Sequence, residues 1–395
     1  MDFTPSDEHT MLRTAAGDIA AGFGHEWFRE RARSGARAEE LWQALAAPGF
    51  LSVHLPEEYG GGGGGMSELV VVSEAAAAQG CPLLLVLVSA GISAELLARF
   101  GTDEQRDRWL PGLCTGEKMV FAITEPDAGS NSHHLSTTAT RDGDAYRVRG
   151  TKTYISGVDE APRMLVVART ATDDADPSRP GRARLSLFVV DTDAPGLDRT
   201  PIPVEVSIPE KQFQLFFDDV EVPADRLVGA EGDGLRQLFY GLNPERILSA
   251  SICTGIGQYA LERASAYANE REVWGAPIGT HQGVAHPLAR AKIALELARL
   301  MMQKAAWMHD HADDDDAHAR VAAGEAANMA KFAAAEAGAQ CLDAAIQTHG
   351  GNGMATEYGL ADLWGLVRLL RIAPVSHEMI LNFVAQQSLG LPKSY

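Results

Sequence analysis

Phe121-Ala-Ile-Thr-Glu-Pro-Asp-Ala-Gly-Ser130 is followed, twenty residues on, by Gly150-Thr-Lys-Thr-Tyr-Ile-Ser-Gly157. Each segment carries an apolar or β-branched run into short polar residues and a glycine, the pattern of a strand that ends in a turn. Around them the same signal recurs between Met119 and Val228, at Met119–Ile123, Tyr146–Val148, Met164–Ala168, Leu185–Val190 and Gln214–Phe217, with Gly and Asp turns between. This stretch is therefore expected to form a β unit. Ala171 to Gly181 interrupts it with polar residues and a proline, and reads as a solvent-exposed hairpin loop.

On both sides the period changes to that of helices. From Glu8 to about Gly116 apolar residues recur three to four apart, as in Ile92–Phe100 and Asp103–Leu113, which predicts short amphipathic helices. The Gly60–Gly65 run carries too much backbone entropy for a helix or strand and is read as a loop, either a plain connector or a mobile substrate-side loop. After Gly232 the helical segments lengthen: Gly234–Asn269, His281–Asp310, Ala317–His349, Ala361–Leu370 and Pro374–Ser388, the pattern of a bundle. Asp313–Asp316 lacks the Gly and Glu spacing of a calcium loop and is expected to be a solvated turn. Three units follow: residues 1–117 helical, 118–231 β, and 232–395 helical.

Composition narrows the function. With 395 residues, 46% of them hydrophobic, the chain can bury a large core and exceeds the usual single-domain size. No apolar run approaches the roughly 20 residues that cross a bilayer, and Met1 to Thr14 lacks the charged-then-apolar pattern of an export signal, so the cytoplasm is the expected location. A net charge of -19 argues against nucleic acid, which needs a clustered basic surface, while local arginines can still hold small anions. Cys81, Cys114, Cys253 and Cys341 sit in Ala- and Leu-rich surroundings without ligand spacing and are expected to be buried thiols. His133 and His134 lack a third ligand and are read as loop residues, so no metal is expected. The Arg, Ala and Gly bias is that of a bacterial source.

Five separated segments together are more specific than the helix, strand, helix order. Besides the two quoted above they are Glu270-Arg-Glu-Val-Trp-Gly-Ala-Pro-Ile-Gly-Thr-His-Gln282, Gln347-Thr-His-Gly-Gly-Asn-Gly353 and Asn243-Pro-Glu-Arg246. In this order, over essentially the whole chain, they resemble the acyl-CoA dehydrogenase family. The resemblance implies an α+β fold with an N-terminal α-helical domain, a middle antiparallel β domain and a C-terminal four-helix-bundle-type domain. It also implies FAD as cofactor, an acyl-CoA or acyl-carrier-protein thioester as substrate in fatty acid metabolism, and an electron-transfer flavoprotein as acceptor.

A flavin that accepts hydride at N5 needs donors around its ring to stabilise the charge of the reduced form. By resemblance Thr124 reaches the pyrimidine edge, Ser156 bonds at N5 and Tyr154 covers the ring face, with Phe121, Ile123, Trp274 and Ser376 also assigned to the cofactor. Gly129 lets the backbone approach closely, and Ser130 lies near both flavin and ligand. Arg271 matches an arginine that the family presents to the pyrophosphate from a neighbouring subunit; Gln282, Gln347, Gly350 and Gly351 match the adenine half. A site shared in this way makes the active protein a homo-oligomer, dimer or tetramer.

Removing a proton α to a thioester requires a carboxylate in a dry pocket that raises its pKa toward neutrality. Many relatives carry it in a C-terminal Tyr-Glu-Gly-Thr motif. Here the aligned stretch is Arg371-Ile-Ala-Pro-Val-Ser376, and Pro374 occupies the glutamate position. Isovaleryl and long-chain relatives place the base on the first long C-terminal helix instead, where this chain has Gly241-Leu-Asn-Pro-Glu-Arg246. Glu245 is thus the expected base, with a structural role at a helix start as the competing reading. Asn243 and Arg246 match positions that touch the pantetheine and nucleotide parts of the ligand, though Arg246 beside Glu245 also reads as an ion pair. Proline offers no N–H, so the carbonyl donor of the Tyr-Glu-Gly-Thr relatives is lost, and Gly365 and Leu366 replace their Arg-Asp pair. These departures leave open a flavin oxidase or monooxygenase of the same fold, and a catalytically silent flavin-binding scaffold.

Overall fold

The computed structural model describes residues 4–172, 183–313 and 316–393. Helices α1 (Asp7–Ser34), α2 (Glu39–Ala46) and α3 (Met66–Ala78) come first, followed by a buried π-helical segment, Val86–Ala94, that runs into α4 (Glu95–Phe100), and then by α5 (Asp103–Cys114). Ser6 caps α1 by accepting from the His9 N–H at 3.1 Å. At 28 residues α1 is longer than the short helices expected here. Gly17, Gly22 and Gly24 dilute its helical signal, and Gly24, at φ 72°, breaks its regularity without ending it.

The glycine run is a packed connector. Gly62, Gly63 and Gly64 donate to the carbonyls of Ser52, Leu55 and Val53 at 2.9–3.1 Å. A Cβ on Gly61 would lie 2.2 Å from the Leu55 carbonyl oxygen, so close backbone approach is what selects glycine. The reading as a mobile substrate-side loop is therefore corrected.

The middle of the chain forms one sheet from β1 (Met119–Ala122), β2 (Thr138–Asp142), β3 (Ala145–Ser156), β4 (Arg163–Thr172), β5 (Ala183–Asp191), β6 (Leu197–Ile202), β7 (Gln212–Pro223) and β8 (Leu227–Val228). Its order is β6-β7-β3-β2-β4-β5-β8, with β1 also on β4. Most pairs are antiparallel, but β1 and β2 each run parallel to β4. The whole β2–β3 hairpin lies between β1 and β4, long enough for the crossover that a parallel pair needs. Strands β4 and β5 pair antiparallel, and residues 173–181 of the expected hairpin loop lie outside the described residues.

The third part is α6 (Gly234–Glu270), a small hairpin of β9 (Glu272–Val273) and β10 (Ala276–Pro277), then α7 (Gln282–Asp310), α8 (Ala317–His349), α9 (Trp364–Ile372) and α10 (His377–Phe383). Buried Ala, Gly, Ser and Cys line the facing sides of α6 and α8 and let the two backbones pack closely. Asp316 caps α8 through the His318 N–H, whereas Asp314 and Asp315 lie outside the described residues.

Polar contacts fasten the three parts to one another. Ser89 and Ser93 of the π-helical segment bond the backbone of Met119 and Val120 in β1, and Gln105 of α5 donates to the carbonyls of Asp225 and Leu227. All four cysteines are free and buried, as expected, and burial pushes the thiols of Cys81, Cys253 and Cys341 up to about 12. Among the described residues no helix is long and apolar enough to cross a membrane, and no group of three or more His, Cys, Asp or Glu side chains could hold a metal ion.

Candidate active site

Two quoted motifs meet at the end of β1. The Thr153 N–H donates to the Thr124 carbonyl at 2.9 Å, joining the residue after β1 to β3. Beneath the junction lies a buried ion pair that the sequence reading did not assign. Lys152 donates to the Ile123 carbonyl at 2.9 Å and to Glu125 at 2.8 Å, and both side chains are at most 2% exposed. Glu125 accepts three further bonds, from the Ser136 N–H and hydroxyl and from the Thr137 N–H. Burial opposes the Glu125 charge, but Lys152 and these donors outweigh it and hold the carboxyl down at about 2. Both residues stand inside the quoted motifs, Lys152 within β3 and Glu125 three residues after β1.

The pairing of β3 with β7 slips between Lys152 and Ile155. This bulge puts Tyr154 at φ 55°, with 61% of its surface exposed. A tyrosine held in the left-handed region is strained, and such residues gather at functional sites. Ser156 follows at the strand end and donates to Gln212 at 3.0 Å. Phe121 is buried in β1, Ile123 and Thr124 are half-buried, and Gly129 and Ser130 are exposed on the turn beyond. The hydroxyls of Thr124 and Ser130 have no protein partner among the described residues.

The expected base lies on α6. Glu245 is half-buried and makes no hydrogen bond or ion pair among the described residues. Burial pushes its carboxyl up to about 7, against the opposing pull of Arg246 and Lys331. Arg246 turns to Asn243, donating to its Oδ1 at 2.7 Å, so the adjacent Glu-Arg pair forms no salt bridge. Its buried Nε has no partner, and burial lowers the guanidinium to about 10.

The segment of the missing glutamate is tied to α8. Ala373-Pro374 is a cis peptide, Ser376 caps α10, and the Val375 carbonyl accepts from Lys331 of α8 at 2.6 Å. Lys331 is fully buried and was missed by the sequence reading. Its signal lay in the helical period, since it falls in phase with the buried Ala327, Ala334 and Gly338.

Six expected cofactor residues are elsewhere. Arg271 caps α6, 26 residues beyond Glu245. At 1.5 Å per residue that is about 39 Å of helix. Trp274 stands 90% exposed at φ 55° on the turn between β9 and β10, and Gln282 opens α7. Gln347, Gly350 and Gly351 lie exposed at the end of α8, where nothing approaches within 4 Å of a Cβ placed on either glycine. The fold does not bring this group to the Glu245 end of the same chain.

Both groups fit an anionic, planar, hydrogen-bonding cofactor. Thr124 and Ser130 at one end, and Arg271, Trp274, Gln282 and Gln347 at the other, carry donors with no protein acceptor among the described residues.

Residues 6–117, 120–220 and 232–389 match the N-terminal, middle and C-terminal domains described as acyl-CoA dehydrogenase. The chain is 53% identical over 394 residues, 100% of it and 99% of the relative, to acyl-CoA dehydrogenase FadE12 of Mycobacterium tuberculosis. Its fold is similar to that of butyryl-CoA dehydrogenase from Megasphaera elsdenii, with a TM-score of 0.90 at 26% identity, covering 98% of this chain and 100% of that one. The structure described as the FAD complex of PigA is similar at a TM-score of 0.89 and 27% identity, covering 99% and 100%.

Proposed function

This chain belongs to the acyl-CoA dehydrogenase family of oxidoreductases, and we propose that it dehydrogenates the α and β carbons of an acyl thioester with Glu245 as base. The observation that carries the reading is the state of that one carboxyl. It is half-buried, unbonded among the described residues and pushed up to about 7, whereas a structural glutamate at such a place is paired. Near neutral pH an appreciable fraction is ionised, and the ionised form keeps its lone pairs for a carbon-bound proton.

FAD, when bound, supplies the acceptor for the hydride that leaves the β carbon. The chain's residues prepare for it. Thr124, beside the Lys152–Glu125 pair, would offer its hydroxyl to the ring system, Ser156, held by its bond to Gln212, would stand beside it, and Tyr154 would cover its face. Asn243 and Arg246 hold the thioester's polar arm, with Ser130 near both ligands. Glu245 takes the α proton and the C–H electron pair becomes the α,β double bond, giving a trans enoyl thioester.

The proposed assembly is a homo-oligomer. Arg271, Trp274, Gln282, Gln347, Gly350 and Gly351 would hold the pyrophosphate and adenine of a cofactor shared with a neighbouring subunit. Their distance from Glu245 along α6 supports this, as does the exposed apolar stripe Ile293, Leu297, Leu300 and Trp307 on α7. The acceptor of electrons is an electron-transfer flavoprotein. Pro374 favours a second reading, an oxidase, because no N–H is available there to polarise the carbonyl as in Tyr-Glu-Gly-Thr relatives.

Anaerobic titration of the purified holoprotein with acyl-CoA thioesters from butyryl to palmitoyl tests the proposal. The flavin absorbance is expected to bleach with at least one of them, and Glu245→Gln is expected to slow bleaching by about 10²–10⁴. Oxygen uptake during turnover would select the oxidase. Unchanged bleaching in Glu245→Gln would remove the assigned base.

A further inference from the structure

Ser156 and Gln212 close the ladder between β3 and β7. They stand opposite one another at the end of β3, and the Ser156 hydroxyl donates to the Gln212 side-chain carbonyl at 3.0 Å. Gln212 is buried, and its backbone is held on both sides, by Ser156 of β3 and by Ile202 of β6. The two residues before it are fixed as well: the Gly157 N–H donates to the Lys211 carbonyl at 2.8 Å, and Glu210 accepts from the Leu84 N–H at 2.7 Å. The acceptor is therefore in place before any ligand arrives, and it sets the direction in which Ser156 points its hydrogen.

A serine hydroxyl has one hydrogen and two lone pairs. With the hydrogen given to Gln212, Ser156 keeps only lone pairs for a ligand and is an acceptor. The N5 atom of a flavin changes its own hydrogen-bonding character on reduction. Oxidised N5 carries a lone pair and calls for a donor; once hydride has been delivered it carries an N–H and calls for an acceptor. An oxygen beside N5 with only lone pairs to offer opposes the first form and bonds the second. The direction of one hydrogen bond inside the protein thus decides which oxidation state the site prefers.

We propose that Gln212 is a positioning residue that raises the reduction potential of the bound flavin: by taking the Ser156 hydrogen it leaves that oxygen to accept from the N–H of the reduced ring. The inference rests on the proposed function, in which the ring lies beside Ser156. Gln212 touches neither substrate nor cofactor in this account and acts through Ser156 alone. A higher potential favours transfer from the acyl β carbon, and so works against the loss of a carbonyl donor at Pro374.

The first test is the midpoint potential of the flavin in the holoprotein, measured by slow reduction against a reference dye. Gln212→Leu has no acceptor for the Ser156 hydrogen, which turns to N5. The ratio of affinities for reduced and oxidised flavin then falls about tenfold, and the potential by about 30 mV for this two-electron couple. Ser156→Ala also lowers the potential, and Gln212→Leu adds nothing in that background. A glutamine that merely supports the strand would shift the potential equally with and without the Ser156 hydroxyl, or not at all, and either result overturns the inference. The second test serves if the Leu variant holds its flavin too loosely for a redox titration. It compares binding of oxidised FAD and 5-deaza-FAD, which has a C–H in place of N5, to the wild-type apoprotein. Equal affinities are expected; a tenfold preference for FAD would show Ser156 donating to N5 and would overturn the inference. Neither test uses a thioester, so failure of acyl-CoA to bleach the flavin sinks the proposed function alone. If Ser156→Ala lowers the potential and Gln212→Leu does not, only the role of Gln212 is wrong.

Discussion

Two glutamates in this molecule, one buried and one half-buried, are treated in opposite ways. Glu125, under the end of β1, accepts four hydrogen bonds, one of them from the ammonium of Lys152. Glu245, on α6, accepts none among the described residues, although Arg246 is its neighbour in sequence. The first carboxyl is held at about 2 and the second is pushed up to about 7. A satisfied charge builds a scaffold, whereas one left without partners keeps its lone pairs for a substrate.

The widest difference is expected when each site is cut. Lys152→Met leaves Glu125 buried and uncompensated, which costs about 3–5 kcal/mol of stability. Urea unfolding of the apoprotein measures it. Glu245→Gln removes an unpaired acid and is expected to leave the urea midpoint unchanged or higher. Equal losses from the two substitutions would erase the distinction between scaffold and reactive carboxyl.

The pH dependence of stability gives a smaller, signed version of the same contrast. Glu125 has a folded pKa below its ordinary 4.5, so its contribution is present above 4.5 and lost as pH falls toward 2. Glu245 has a folded pKa above 4.5, so the folded state binds its proton more tightly and loses relative stability as pH rises from 4.5 to about 7. Glu245→Gln is therefore expected to gain about 1–3 kcal/mol on wild type between pH 5 and pH 8. Glu210 shifts in the same direction by burial and is present in both proteins, so it cancels in the difference. A difference that does not change with pH would mean that Glu245 is solvated in the folded protein.

How legible this arrangement was depends on what each part is made of. The long helices α6, α7 and α8 appear in the sequence within a residue or so of their ends, because tens of residues of periodic burial average out local noise. Short polar strands such as β6 escaped, since Leu197–Ile202 is mostly exposed and carries no apolar alternation. Parallel pairing of β1 with β4 was hidden for another reason: it depends on chain crossing, which no local pattern records. At the site, Thr124, Ser156 and Glu245 were assigned through short, contiguous motifs that carry the family resemblance. Lys152 and Lys331 were missed because the reading sought donors for a ligand and not the cations that support those donors. The residues assigned to the cofactor by resemblance fall into two distant groups, and the length of α6 separates them.

The smallest expected effect concerns Tyr154. Its left-handed backbone at φ 55° costs about 1–2 kcal/mol for a residue with a Cβ, and glycine removes that cost. Glycine also widens the unfolded ensemble, which takes back about 0.4–1 kcal/mol. With 61% of the ring exposed, little packing is lost. Tyr154→Gly is thus expected to raise apoprotein stability by about 0.5–1 kcal/mol while weakening retention of FAD, read from the flavin-to-protein ratio after gel filtration. Destabilisation of the apoprotein instead would mean that the ring holds the bulge in place. The strain would then belong to the scaffold, on the Glu125 side of the comparison, and not to the face that meets the cofactor.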